Sequence, residues 1–215
     1  MSTSLLTLRT RTRRYLNEVT ASRWTDAELT AFVNEGIRFT QSEIDRANPD
    51  YFLRVTTFTA SAGSYQAALP STIWGHRLRN VQFYENSTVP TGLPTRVQPG
   101  QLEWIYQNQH YAGVPKVYYP LAGYLLWAPL LQYDSVFRFI YAKKENDLVD
   151  DVDPVDAISD EYTDIIAIYA AILAMESRNI PTGTYQNLLA RKIAQMANDC
   201  QSTDPLIIPQ QGIDD

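Results

Sequence analysis

The sequence predicts an α+β fold: an antiparallel four-helix bundle with a β-rich insertion between helices 2 and 3 and an extended C-terminal arm. Three observations lead there. Apolar residues recur at helical spacing in two segments before residue 50 and in two after residue 158. Between them, residues 51–142 turn to Tyr, Phe, Val, Thr and Trp broken by Gly and Pro, the composition of short strands. After Ser202, Pro205 and Pro209 bracket Leu206, Ile207 and Ile208, and Pro205 bars continuation of a helix. With 215 residues, 45% apolar and 20% charged, the chain can bury a sizeable core and is not a disordered or low-complexity polymer. The expected division is 1–50 with 143–202 as the helical bundle, 51–142 as the β-rich insertion and 203–215 as the arm.

The first helix is expected over 5–19, with Leu5, Leu8, Tyr15, Leu16 and Val19 on one face. Arg9, Arg11, Arg13 and Arg14 flank that face, either as surface arginines with packed stems or as a basic edge for an acidic partner. The second helix carries the clearest signals. Thr25 and Glu28 have capping-box spacing, and Trp24 with Leu29 has the spacing of a hydrophobic staple. Leu29, Phe32, Val33, Gly36, Ile37, Thr40 and Ile44 form its apolar face, and Pro49 stops it before Asn48.

Strands are expected at 53–59, 65–69, 78–84, 117–119, 124–127 and 136–142. The last has a clear two-residue alternation: Phe137, Phe139 and Tyr141 against Val136, Arg138 and Ile140. Ala62-Gly63-Ser64 predicts a hairpin joining the first two strands, and Tyr119-Pro120-Leu121-Ala122-Gly123-Tyr124 predicts another. Residues 86–96 read as a loop, and 99–109 as a short helix with Leu102, Trp104, Ile105 and Tyr106.

Residues 143–158 read as an acidic connector, with Glu145, Asp147, Asp150, Asp151, Asp153 and Asp156 and no base after Lys144. A third helix follows from Ser159, with Tyr162, Ile165, Ile166, Tyr169, Ile172 and Leu173 on one face. The fourth spans Thr184 to Cys200 and aligns Tyr185, Leu188, Leu189, Ile193, Met196 and Cys200. Cys200 therefore reads as a small buried hydrophobe. The tail's Leu206, Ile207, Ile208 and Ile213 either dock on their own domain or serve another subunit.

Composition excludes several chemistries. One cysteine forbids an intramolecular disulfide and a cysteine zinc site, and two histidines forbid a triple-histidine centre. His76 and His110 have no evident nucleophile beside them and read as surface residues. Nucleophile-elbow, phosphate-loop, zincin and dinucleotide motifs are missing from the sequence. The acidic run lacks the spacing and glycine of a calcium loop. No catalytic residue, cofactor or metal is expected, nor a membrane span or signal peptide.

Net charge is −6. Residues 1–100 hold 11 basic and 8 acidic side chains, whereas 151–215 hold 3 and 11. Such asymmetry suits two different partners or like subunits meeting head to tail. An acidic chain is a poor free binder of DNA.

The whole pattern resembles the head-to-tail adaptor (connector, or head-completion) proteins of tailed bacteriophages and gene transfer agents. The resemblance rests on the arginine-rich first helix, Arg23-Trp24-Thr25-Asp26-Ala27-Glu28-Leu29, and Val33-Asn34-Glu35-Gly36. It continues through Tyr65 to Pro70, Gly113 to Tyr118, Leu125 to Pro129, Phe139-Ile140-Tyr141, the acidic connector and Tyr162 to Ala171. It implies a structural virion protein at the head-tail junction, not an enzyme. Such proteins form a ring, usually of twelve copies, beneath the portal. The ring extends the channel through which genomic DNA passes without sequence-specific contact, and meets tail or neck proteins. On this resemblance Leu206, Ile207, Ile208 and Ile213 belong to a portal-docking arm. Arg9, Arg11, Arg13, Arg14, Asp147, Asp150, Asp151 and Asp153 form a candidate charged interface. The alternatives are another neck or tail connector component, or a soluble module stacking a sugar or peptide on Trp74, Trp104, Trp127 and tyrosines.

Overall fold

The computed structural model describes residues 3–18, 23–84, 91–101, 103, 105, 107 and 111–202. Two compact units divide the chain: Met1–Tyr51 with Glu145–Asp215, and Phe52–Lys144.

In the helical unit, α1 is Leu5–Tyr15 and α2 is Asp26–Ala47. α3 is Thr163–Glu176 and α4 is Gly183–Ser202. Ser4 caps α1 by accepting from the Thr7 amide. The Thr25–Glu28 capping box starts α2 as its spacing predicts, with both reciprocal bonds made. The staple forms too: Trp24, Leu29 and Ala174 make one buried cluster, and Trp24 Nε1 donates to the Ala174 carbonyl at 3.1 Å. Asn48, before Pro49, is extended at φ −142° and closes α2. Ser159 precedes a 3-10 turn at Asp160–Tyr162, so α3 begins later than expected.

α3 overturns the bundle expectation. A four-helix bundle asks each helix to bury one stripe. Instead Ile165, Ile166, Ala167, Ile168, Ala170, Ala171, Ile172 and Ala174 are all buried, far more than one stripe, and only Asp164, Tyr169, Leu173 and Glu176 keep some exposure. It is a central helix that touches α1, α2 and α4. Small residues and a glycine make this packing close. A side chain at Gly36 of α2 would place its Cβ 2.7 Å from the Ile166 carbonyl oxygen.

Phe52–Lys144 corrects the other half of the expectation. It is not an insertion hung on a bundle. It builds several sheets with cores of their own. β1 (Leu53–Ala60), β2 (Gln66–Ala68), β3 (Ile73–Tyr84), β4 (Thr95–Arg96) and β5 (Ala112–Gly113) come first. β6 (Val117–Leu121), β7 (Tyr124–Ala128), β8 (Leu130–Leu131) and β9 (Ser135–Lys143) follow. The sheets have orders β1-β9-β3, β2-β7-β6-β4 and β5-β8. The first expected hairpin is absent from the pairing: β1 pairs with β9 and β2 with β7, so the Gly63 turn leads from one sheet to another. The second forms: β6 and β7 pair antiparallel across Ala122 and Gly123, both at positive φ as a type I′ turn requires.

Residue alternation explains the core. Phe137 and Phe139 of β9 point inward, where Phe58 stacks on Phe137 at 5.0 Å and Trp127 lies 4.6 Å from it. Trp127 Nε1 donates to the Ser64 carbonyl, which satisfies its one polar atom. β7 is buried on both faces: Leu125 and Trp127 join this aromatic core, while Leu126 and Ala128 pack with Val97 and Ile105. That double burial accounts for its unbroken apolar run.

Candidate functional site

The richest chemistry lies in the helical unit, where the arginines of α1 meet the acidic connector. The connector keeps most of its aspartates at the surface but is fixed through its backbone. Its backbone lies along the start of α1. Leu5 and Leu6 donate their amides to the carbonyls of Asp153 and Asp151, and Val155 donates to the Thr3 carbonyl. Amides in the first turn of a helix have no partner within it, so the connector supplies what α1 lacks. Leu148, Val155, Ala157 and Ile158 are buried.

Each predicted charged residue has a definite place. Arg9 pairs with Asp151 across this seam, its own side chain mostly buried. Arg11 donates to Thr163 Oγ1 at 2.9 Å and to Asp164 at 3.3 Å. Arg13 joins Glu18 at 3.3 Å, Asp26 at 2.7 Å and the Trp24 carbonyl at 3.1 Å. Arg14 is exposed. Asp147 receives Arg38 at 3.2 Å. Asp153 Oδ2 accepts from the amides of Val149 and Asp150, both at 2.8 Å, and so closes a tight turn. The side chains of Asp150 and Asp151 lie at the surface. The seam thus brings Arg9 and Asp151 together. Arg11 and Arg13 instead bind α3 and the start of α2, and Arg14 reaches none of these. Leu206, Ile207, Ile208 and Ile213 lie outside the described residues.

Sequence reasoning missed the residues of α2 that hold the connector. Asn34 is buried and acts like a peptide group. Its Nδ2 donates to the Leu148 carbonyl at 3.0 Å, and its Oδ1 accepts from the Leu148 amide at 2.8 Å. Seven residues on, buried Gln41 accepts from the Glu145 amide at 3.2 Å. The Glu145 carboxylate, also buried, accepts from the amides of Asp156 and Ala157. A signal existed: Asn34 and Gln41 border the apolar stripe Val33, Ile37, Thr40 and Ile44, where a helix seldom buries amides without partners.

Electrostatics follow from these bonds. The Arg13 hydrogen bond holds the Asp26 carboxyl below its ordinary range. The Asp150 and Val149 amides do the same for Asp153, and the Thr3 hydroxyl for Asp160. Burial pushes the Tyr162 hydroxyl and the Cys200 thiol up, so the thiol stays protonated and unreactive. Cys200 is buried, as its helical position predicts.

The set forms a network of mutual contacts between α1, α2, α3 and the connector. The carboxylates of Glu145 and Asp153 accept from backbone amides, that of Asp160 from the Thr3 hydroxyl, and those of Asp147 and Asp151 from guanidiniums. Among the described residues no group of three or more His, Cys, Asp or Glu could hold a metal ion. Among them also, no helix is long and apolar enough to cross a membrane. Trp24 and Trp127 are buried and offer no stacking face to a ligand. Trp104 and His110 lie outside the described residues.

A family model described as SU10 adaptor protein matches residues 3–208 of the chain. No curated protein matches it.

Proposed function

We propose a role that starts from one fact: the chain belongs to the SU10 adaptor protein family, a family of phage structural proteins. The chain is a head-to-tail adaptor of the virion. It assembles into a ring of twelve copies beneath the portal, extends the DNA channel and offers a docking surface to tail or neck proteins. It acts by binding and carries no catalytic step. The observation that carries this reading is a family match over nearly the whole chain, both units included.

The division of charge supports it. Phe52–Lys144 carries eight basic and three acidic side chains, net +5, whereas the rest carries ten and twenty-one, net −11. Surfaces of such opposite sign favour head-to-tail contact between copies, and head-to-tail contacts close into rings when the rotation permits. An acidic channel wall built from the helical unit repels the phosphate backbone and lets DNA slide. The portal-docking arm is Thr203 to Asp215, with Leu206, Ile207, Ile208 and Ile213 as anchors.

Particle mass measured by light scattering, for the chain alone and mixed with its cognate portal ring, tests this. Co-elution at about twelve copies per portal, lost on deletion of residues 203–215, is expected. A chain that stays at single-chain mass and ignores the portal overturns the reading.

A further inference from the structure

Two exposed patches, one in each unit, have matching apolar character and opposite charge. The first is the Asp153-closed turn of the connector. Val149 and Val152 stand 76% and 81% exposed, with Leu6 of α1 at 51%. Aliphatic side chains this exposed are ordinarily found singly on a soluble surface. Here they sit on a turn that cannot fold them away. The Asp153 carboxylate fixes the amides of Val149 and Asp150, the Asp153 amide returns to the Asp150 carbonyl, and Leu6 bonds the Asp151 carbonyl. Surface carboxylates of Asp150 and Asp151 flank them, and Asp151 is oriented by Arg9. The result is a pre-formed apolar knob with an acidic rim.

The second patch lies at β4, an edge of the four-stranded sheet. Leu93 is 66% exposed and Val114 is exposed as well. The two segments are held side by side. The Thr95 amide donates to the Lys116 carbonyl at 2.8 Å, and a side chain at Gly92 would lie 3.4 Å from the Val114 methyl. Arg96 and Lys116, both exposed, supply positive charge. This is an apolar surface with a basic rim.

We infer that the Val149–Val152 knob of one copy docks on the Leu93–Val114 surface of a second copy, with Asp150 and Asp151 facing Arg96 and Lys116. The inference rests on the reading of the chain as a self-assembling adaptor and names the contact that joins its copies. Apolar contact supplies the attraction, and the opposed rims set register and reject knob-to-knob pairing. The contact is heterologous, so each copy keeps one free surface of each kind until a ring closes.

The test uses the full chain and two variants. One carries Val149→Lys and Val152→Lys; the other carries Leu93→Ser and Arg96→Ser. All four positions are at the surface, so the fold has no reason to change. Light scattering at high concentration and low salt should find the wild type associated and each variant at single-chain mass. An equimolar mixture of the variants retains one intact knob and one intact surface, and should therefore double in mass and stop there. That outcome also shows both variants are folded. A variant that assembles like the wild type, or a mixture that stays at single-chain mass, overturns the inference while leaving portal binding by the wild type to stand. Loss of binding to a tail protein alone, with self-association intact, assigns the patch to that partner and overturns the inference too. A wild type that neither self-associates nor binds the portal overturns the adaptor reading itself.

Discussion

The helical and β-rich units solve the same problem with different materials. The helical unit wraps three amphipathic helices around a fourth that is buried over most of its surface. It then ties a loose acidic segment down with Asn34, Gln41, Arg9 and Arg38. The β-rich unit relies on rings: Phe58, Trp127, Phe137 and Phe139 form one aromatic cluster between two sheets. The first is strongly acidic and the second basic. The contrast shows how one chain can carry opposite net charge on its two units. Apolar burial holds each unit, and surface charge is left free to differ between them.

Several experiments would sharpen or break that contrast. The largest effect is expected from Phe137→Ala, which empties the centre of the aromatic cluster and should destabilise the β-rich unit by about 3–5 kcal/mol. Hydrogen exchange should show lost protection in β7 and β9 with α3 unchanged. Equal loss in α3 would mean that the two units do not hold themselves independently.

Gly36→Ala comes next. Its Cβ would press on a backbone carbonyl, which cannot rotate aside, and a loss of about 3 kcal/mol is expected from denaturant titration followed at 222 nm. A neutral result would mean that α2 and α3 separate easily.

Asn34→Ala leaves the Leu148 amide and carbonyl without their partner and should cost about 2 kcal/mol. Faster exchange of the Leu148 amide would localise the loss to the connector. If stability falls without that change, Asn34 does not act through the connector.

Acid should separate the units. The carboxyls of Asp26, Asp153 and Asp160 are held below their ordinary range in the folded chain. Their contribution is therefore complete above the unfolded value near pH 4, and is lost as pH falls through the lower folded values. The helical transition in a thermal melt should drop more between pH 5 and pH 2 than the β-rich one. Asp153→Asn should reduce that dependence.

The smallest effect is expected from Arg38→Ala. Its pair with Asp147 is half exposed, so the change should stay below about 1 kcal/mol and vanish at high salt. A larger loss would place Arg38 among the connector's main anchors.

Much of this architecture was legible in the residues. The capping box at Thr25, the staple of Trp24 on Leu29 and the stop at Pro49 are local devices with fixed spacing, and all are present. The alternation of β9 and the Ala122-Gly123 turn are equally local. The Gly63 turn misled because a turn fixes a change of direction, not a partner: β1 found β9 some eighty residues away. The candidate charged residues were visible as charges, but their partners were not. Nothing near Arg9 in the sequence points to Asp151, and an acidic run reads as solvated until a helix is laid against it.

The sequence by itself determined where α2 starts and stops, the apolar face of β9, the absence of recognisable catalytic motifs and the adaptor resemblance. These depend on contacts within a few residues or on composition. Tertiary structure alone decided that α3 is a central helix, that the strands form separate sheets, and that the connector is clamped by Asn34 and Gln41. Those outcomes depend on which surfaces meet across long separations. Local propensity cannot choose among such pairings, because the free energy that selects them comes from burial and hydrogen bonding completed only when the whole unit is assembled.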